Sequence, residues 1–403
     1  MTSISRPENA RECRVLIVQP SVPEYRLPFF EQFPHKSGIS LRVVAGEDGL
    51  TARELRGGGR STRFSYVACP TRTFFGGRLV WQSGLQLDEW LRKGDVLVIS
   101  GNPRILSNYP LVWQARRKGV GVVWWGHGWT TGSRGISAWL RRQIMKIADV
   151  TLLYTDAEVD SYVALGFDRK TTFATNNALD QTLAFRYTME WDATRLAEFK
   201  NQNGIEGRRI LLFVGRLTPK ADVGFLIRAL TNLKTQWPDV LLVVIGDGRE
   251  LAKLKSFAAE LGVEGYVKWL GSIYDEESLA PWFLSADIFV YPGAIGLSLL
   301  HAMGYGLPVL THSDPAHHMP EFAAVRDGYN SVTFARCDMR SFVEKVSQVL
   351  SAPSFRQSLS RNARETVAAT YSMEQMVERF AQALRTASEI AASKAIGADC
   401  CKA

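Results

Sequence analysis

Residues Asp287 to Thr311, DIFVYPGAIGLSLLHAMGYGLPVLT, constrain the fold more than any other stretch of the chain. Asp287 to Tyr291 has the short apolar run of a buried strand. Pro292 to Gly296 is a glycine-bearing turn, and Leu297 to Tyr305 reads as a short helix. Gly306 then stops the helix, Pro308 blocks its continuation, and Val309 to Thr311 begins another strand. Two strands joined through a helix pair in parallel, so the sheet is parallel and covered on both faces. In this geometry a helix starts at the carboxyl end of a strand, and the amides of Leu297, Ser298 and Leu299 lack intrahelical partners. Such a start suits a phosphate group. The same unit also occurs simply for tight packing, and the stretch alone does not separate the two readings.

At 403 residues the chain exceeds what one core usually holds, so two domains are expected. No apolar run is long enough to span a bilayer, and the N-terminus, MTSISRPENARECR, is too polar for a signal peptide. A cytoplasmic protein is expected, with peripheral contact at the inner face of the membrane left open. Cys13, Cys69, Cys337, Cys400 and Cys401 show no paired metal-ligand spacing and read as reduced thiols. The net charge of +8 is uneven: residues 1–182 carry 24 Lys and Arg against 16 Asp and Glu. Arginines group at Arg53, Arg56, Arg60 and Arg63, at Arg116 and Arg117 with Lys118, and at Arg134, Arg141 and Arg142 with Lys146. The last group shares a predicted helix with Trp139, Leu140, Ile144 and Met145. That combination suits an anionic membrane surface or an acidic lipid carrier, and equally a solvated helix face. Scattered basic groups without a legible module argue against nucleic acid.

Strand-like runs at Arg14 to Gln19, Leu41 to Ala45, Val96 to Ser100, Val120 to Trp125, Val150 to Tyr154 and Thr172 to Ala174 alternate with helical or irregular segments. The pattern repeats at Ile210 to Val214, Val240 to Ile245, Tyr266 to Leu270, Ile288 to Tyr291, Val309 to Thr311 and Val332 to Phe334. This predicts an α/β chain of two doubly wound, Rossmann-like domains over 1–182 and 208–370. Residues 183–207 read as a linker region and 371–403 as a C-terminal helix and tail. Ligands in such folds lie outside the carboxyl ends of the strands, and for two facing domains that predicts an interdomain cleft.

Directly after the first strand of the second half, FVGRLTPKADVGFLIRAL places Gly215, Arg216 and Lys220 in a loop before a helix. Arg offers a planar fork and Lys a mobile point charge to an anion over the same sheet edge. A pair of ordinary surface cations is the plain alternative. The next strand ends in VIGDGREL, where Gly246 and Gly248 permit close backbone approach but the third glycine of a dinucleotide fingerprint is missing.

Taken in order, FVGRLTPK, VIGDGREL, WLGS, LSADIFVYPGAIGLSLLHAMGYGLPVLT and MPEFAAVRDGYN resemble the retaining nucleotide-sugar transferases of the GT-B fold, glycosyltransferase family 4. The resemblance covers most of residues 208–373. It implies transfer of a sugar from a nucleoside diphosphate, a UDP-sugar for preference, to a saccharide or lipid-linked saccharide acceptor of the bacterial polysaccharide type, without metal or other cofactor. It implies that Arg216 and Lys220 bind the diphosphate with the backbone around Ile295, Gly296, Leu297 and Ser298. Two cations and free amides would then stabilise the charge on the leaving diphosphate.

The family carries two glutamates eight positions apart across this turn, the first on the donor sugar and the second on the ribose. Gly293 and His301 stand at those positions here. Gly293 offers no side-chain acceptor, whereas His301 can still make a hydrogen bond. Glu321 matches a recurrent family glutamate without an assignable contact. In the first half, VVWWGHGW sets His127 between Gly126 and Gly128 after a strand, where the resemblance implies a histidine presented to the donor sugar. Glu24 and Arg26 in QPSVPEYR, and Asn102 and Arg104 in SGNPRILSNYP, open at strand ends and are acceptor-site candidates. Asn176 and Asn177 match a family turn at the domain junction, or form a simple turn. Asp156, Glu158 and Asp160 look like spaced metal ligands, but Thr155 followed by Glu158 is the signature of a helix capping box, so no metal is assigned. A non-catalytic nucleotide-sugar or glycan-binding subunit, and a nucleotide-sugar epimerase, remain the other readings.

Overall fold

Alternating strands and helices build two parallel sheets, each in its own unit of the chain. The computed structural model describes residues 13–46, 63–85, 87, 90–128 and 135–400. Arg53, Arg56, Arg60, Arg134 and Cys401 lie outside the described residues. One unit comprises residues 1–176 with 373–403, the other residues 177–372, so the division falls between Asn176 and Asn177.

In the first unit β1 (Arg14–Gln19), β2 (Ser40–Gly46), β3 (Ser65–Cys69), a hairpin of β4 (Thr71–Phe74) and β5 (Leu79–Gln82), β6 (Val96–Ser100), β7 (Gly121–Trp125), β8 (Val150–Leu153) and β9 (Thr172–Ala174) follow in order. The parallel sheet is ordered β3-β2-β1-β6-β7-β8-β9. Its strand order reverses between β1 and β6. The C-terminal helix Met373–Cys400 belongs to this unit and supplies part of its core. Phe380, fully buried, places its ring 4.9 Å from Trp125, 5.1 Å from Phe29 and 5.2 Å from Phe33. The helix is pinned at its start by Lys36 to Glu374 at 2.6 Å and further along by Lys394 to Asp149 at 2.5 Å.

In the second unit β10 (Arg209–Val214), β11 (Val240–Ile245), β12 (Val267–Gly271), β13 (Ile288–Tyr291), β14 (Val309–His312) and β15 (Ser331–Phe334) form a parallel sheet ordered β12-β11-β10-β13-β14-β15. Here the reversal lies between β10 and β13. Side chains alternate across the sheet as period-two geometry requires. Leu211, Phe213, Leu242 and Val244 pack on one face with the helices Val223–Gln236 and Met339–Ser351, while Ile210, Leu212, Val243 and Phe289 pack on the other with Glu276–Ser285 and Ser298–Gly304. Residues 183–207, expected as a linker, instead form most of the helices Thr182–Glu190 and Ala193–Gln202. The cause is that Ala184 and Tyr187 are buried in the second core, a contact too sparse to give the segment a clear period.

Phe380→Ala removes a ring from a closed aromatic cluster. It is expected to destabilise the first unit by about 3–5 kcal/mol, read from denaturant unfolding, with little effect on the second.

Candidate functional site

The carboxyl ends of β10 and β13 carry the two loops that matter most in the second unit. Strand order reverses here, and the carboxyl ends of strands at such a reversal are the usual place for a ligand in open α/β folds. The β10 loop carries Gly215, Arg216 and Lys220; the β13 loop carries Gly293 to Leu297. They are fastened together by the backbone. The Ala294 amide donates to the Lys220 carbonyl at 2.9 Å. A Cβ placed on Gly293 would fall 2.0 Å from the Lys220 carbonyl oxygen and 2.7 Å from the Ala221 carbonyl carbon. Gly293 therefore serves the contact between loops, and no side chain fits where the resembling family has its first glutamate. Gly246, at φ 147°, lies under the same loop: a Cβ there would meet the Gly215 carbonyl oxygen. Its amide donates to the Gly271 carbonyl at 2.7 Å, so Gly246 acts through packing.

Arg216 and Lys220 are exposed, and among the described residues neither side chain makes an ion pair or hydrogen bond. The following helix is Ser298–Gly304, shorter at both ends than expected. Leu299 donates to the Gly296 carbonyl at 2.9 Å, so its amide is not open, in contrast to the expectation for a helix starting at Leu297. The Ile295 amide is also taken, by His318 Nδ1 at 3.3 Å, and its carbonyl accepts from Met319 at 3.0 Å. Among the described residues, the amides of this turn left without a protein acceptor are those of Gly293, which lies against the Lys220–Ala221 backbone, and of Gly296, Leu297 and Ser298. A helix of two turns has little dipole, so most of the positive potential here comes from Arg216 and Lys220.

His301 projects from that helix into a polar cluster that the sequence did not reveal. Its Nε2 lies 2.7 Å from Glu276 Oε1, the same oxygen that accepts from the Tyr305 hydroxyl, and its ring packs on Phe283 at 4.7 Å. Burial alone would raise the Glu276 carboxyl, but the hydrogen bonds from His301 and Tyr305 outweigh it and hold it below the ordinary carboxylate range. Glu276 lies 25 positions from His301 at the head of another helix, a separation that no periodicity marks. Glu321 is buried and accepts from Asn177 Nδ2 at 3.2 Å. Its other oxygen lies 3.8 Å from where a Gly296 Cβ would stand, beside the turn after β13.

The first unit repeats the arrangement at its own reversal. Glu24 and Arg26 follow β1, Asn102 and Arg104 follow β6, and His127 follows β7. Arg26 is not open to a ligand: it donates to Gln19 Oε1 at 2.8 Å and the Tyr154 hydroxyl at 2.9 Å, with its guanidinium 4.5 Å from the Trp125 ring centre. Asn102 Oδ1 accepts from the Arg104 amide at 3.1 Å, whereas the Arg104 and Glu24 side chains are exposed. Arg141 bridges two strand-end loops by donating to the Gly101 and His127 carbonyls at 3.2 and 2.9 Å. The His127 ring stands edge-on to Tyr154 at 4.3 Å. Burial, then Arg141 and Arg26, push its pKa down to about 4, so it is a neutral imidazole at pH 7.

The three carboxylates after Thr155 have structural work. Glu158 completes the capping box and accepts from the Gly128 and Tyr154 amides at 2.9 and 3.0 Å. Asp156 pairs with Arg379 and Asp160 with Arg169. Among the described residues no group of three or more His, Cys, Asp or Glu is arranged to hold a metal ion.

Residues 196–366 match the family of glycosyl transferases group 1. That group 1 segment contains the loops after β10 and β13, with Arg216, Lys220, Gly293 and His301. Similar proteins include the lipopolysaccharide core biosynthesis glycosyltransferase LpsE of Rhizobium meliloti (strain 1021), 26% identical over 43% of this chain and 49% of its own length. A GDP-mannose-dependent alpha-(1-6)-phosphatidylinositol monomannoside mannosyltransferase of Mycolicibacterium smegmatis is 29% identical over 40% of this chain and 44% of its length. The chain thus spans about half the length of the curated relatives it matches. Among solved structures, Anabaena Alr3699/HepE in complex with UDP superposes with a TM-score of 0.69 at 14% identity, covering 93% of this chain and 99% of that one. The galactosyltransferase WaaB, solved in its apo form, gives 0.62 at 14% identity, covering 92% and 99%. At these identities the likeness shows the fold alone, GT-B with two Rossmann-like domains.

Gly293→Ala drives a Cβ into the Lys220–Ala221 backbone and is expected to cost more than a typical surface substitution, on the order of 2 kcal/mol or more. Thermal unfolding reads this directly. Gly293→Glu, which restores the glutamate of the resembling family, is expected to be worse, not better.

Proposed function

We propose that this chain is a retaining sugar transferase that takes its sugar from a UDP-sugar. The observation that carries the reading is the pairing, at the strand reversal of the second sheet, of two uncommitted cations with three uncommitted amides on a loop fastened to theirs. A diphosphate fits that donor set: Arg216 and Lys220 neutralise its charge, and the Gly296, Leu297 and Ser298 amides hold its oxygens without a metal ion. The group 1 match over the same residues supports the reaction class. Anabaena HepE holds UDP and the mycobacterial relative is named for GDP-mannose; UDP is the nucleotide proposed for this chain.

In the proposed step the donor C1–O bond to the diphosphate breaks, while a bond forms from the acceptor oxygen to C1 on the same face. The acceptor proton passes to the departing phosphate oxygen. Arg216 and Lys220 stabilise the charge that grows there. His127, neutral at pH 7, offers a hydrogen bond to a sugar hydroxyl. The acceptor, a saccharide or lipid-linked saccharide, is assigned to the first unit with Glu24, Asn102 and Arg104. Because Gly293 carries no side chain and His301 Nε2 is held by Glu276, a subunit that binds nucleotide sugars without turnover is the second reading.

Thermal shift with UDP, GDP and their sugars decides the donor. UDP is expected to raise the melting temperature, and Arg216→Ala and Lys220→Ala each to abolish the shift. Absence of any nucleoside diphosphate effect defeats the proposal. Release of UDP from a UDP-sugar with an acceptor panel separates enzyme from binding subunit.

A peripheral membrane position is also proposed. No helix among the described residues is long and apolar enough to cross a membrane. The helix Ile136–Met145 exposes Ile136, Trp139 and Leu140 beside Arg142 and Lys146, and Trp113 is exposed with Arg117 stacked on it. Such surfaces suit an anionic bilayer. Cosedimentation with anionic vesicles at low salt is expected, reduced several-fold by Trp139→Ala with Leu140→Ala; no binding to such vesicles removes the idea.

A further inference from the structure

We propose that His318 is a positioning residue for the turn that holds the diphosphate, acting as a neutral imidazole that carries a hydrogen bond from β14 to Ile295. The inference rests on the donor-site reading above. The Gly293 to Leu297 loop contains two glycines and precedes a helix of only two turns, so its own chain does little to fix the direction of the Gly296, Leu297 and Ser298 amides. What fixes it comes from the segment after β14. The Ile295 amide donates to His318 Nδ1 at 3.3 Å, and the Ile295 carbonyl accepts from the Met319 amide at 3.0 Å. Both backbone groups of Ile295 are thereby taken, one residue before the open amides begin. Met319 completes the clamp, its Cγ lying 3.3 Å from where a Gly296 Cβ would stand.

The imidazole is itself held. Its Nε2 lies 2.8 Å from the carbonyl of His312, the last residue of β14. It stacks between His312, with ring centres 3.7 Å apart, and Phe322, at 4.2 Å and nearly parallel. An amide N–H reaches Nδ1, so Nδ1 has no proton and Nε2 carries the one that goes to the His312 carbonyl. Only one tautomer of the neutral ring satisfies both contacts. Burial pushes the His318 pKa down to about 4, in keeping with that form. The ring acts as a strut between the sheet and the turn, and loss of its acceptor would leave the N–H of buried Ile295 unpaired.

Two substitutions separate the acceptor from the ring. His318→Phe keeps a flat ring in the stack but accepts nothing; His318→Asn loses the stack but keeps an acceptor near Nδ1. UDP affinity by calorimetry is expected to fall about tenfold in His318→Phe and much less in His318→Asn, with both variants folded by thermal unfolding. Hydrogen exchange at the Ile295 amide, measured without nucleotide, is expected to speed up in the phenylalanine variant only. Ring nitrogen shifts of wild-type His318 should report the Nε2–H tautomer. Equal UDP affinity in His318→Phe and wild type, equal loss in both variants, or unchanged Ile295 exchange in His318→Phe would each overturn the inference. Failure of wild-type protein to bind UDP would instead defeat the donor reading, and the exchange and tautomer measurements would still decide for or against the strut.

Discussion

The close approach of Gly293 to the Lys220–Ala221 backbone is the constraint on which the second unit's site depends. Strands β10 and β13 are neighbours, but at a strand reversal their following loops would diverge. The absence of a side chain at Gly293 lets the loops touch, and the Ala294 to Lys220 hydrogen bond fixes the contact. Lys220 is thereby tied through its own backbone to the turn whose amides it complements. The same contact leaves no room for a side chain at this position: the space for a Cβ on Gly293 is filled by the Lys220 carbonyl oxygen. Under the proposed function, contacts to a donor sugar would come from other residues; buried Glu321 lies beside the turn.

Most of the architecture was legible because parallel strands buried on both faces write themselves as apolar runs. LLFV, LLVVI and IFVY leave little choice, and their boundaries in the structure differ from expectation by a residue or so. β3 and the β4–β5 hairpin were missed for the opposite reason. SYVAC and TRTF alternate or face solvent, and their polar positions give no core signal. The helices over 182–202 leave no clear period in the sequence because they bury few side chains. In the site, the cations and the glycine turn were visible because loop chemistry is local. Glu276 and His318 were not, since each acts on residues more than 20 positions away through a fold the sequence does not spell out.

The two units treat charge differently, and this bears on what each can hold. The second presents unpaired cations and open amides, a set suited to a leaving anion. The first presents an imidazole kept neutral by burial and by neighbouring arginines, of which Arg26 and Arg141 are occupied by internal hydrogen bonds. A neutral imidazole suits a hydroxyl. His127, His312 and His318 are all held near 4, so acidification from about 6.5 towards 4 adds protons to the unfolded chain that the folded one refuses, and stability falls across that window.

A crystal structure of the protein with UDP tests the central claim most directly. The account predicts the distal phosphate within about 3 Å of the Gly296, Leu297 and Ser298 amides, with Arg216 or Lys220 on its other oxygens. A diphosphate bound elsewhere, or bound at this edge without contact to those amides and cations, would contradict it.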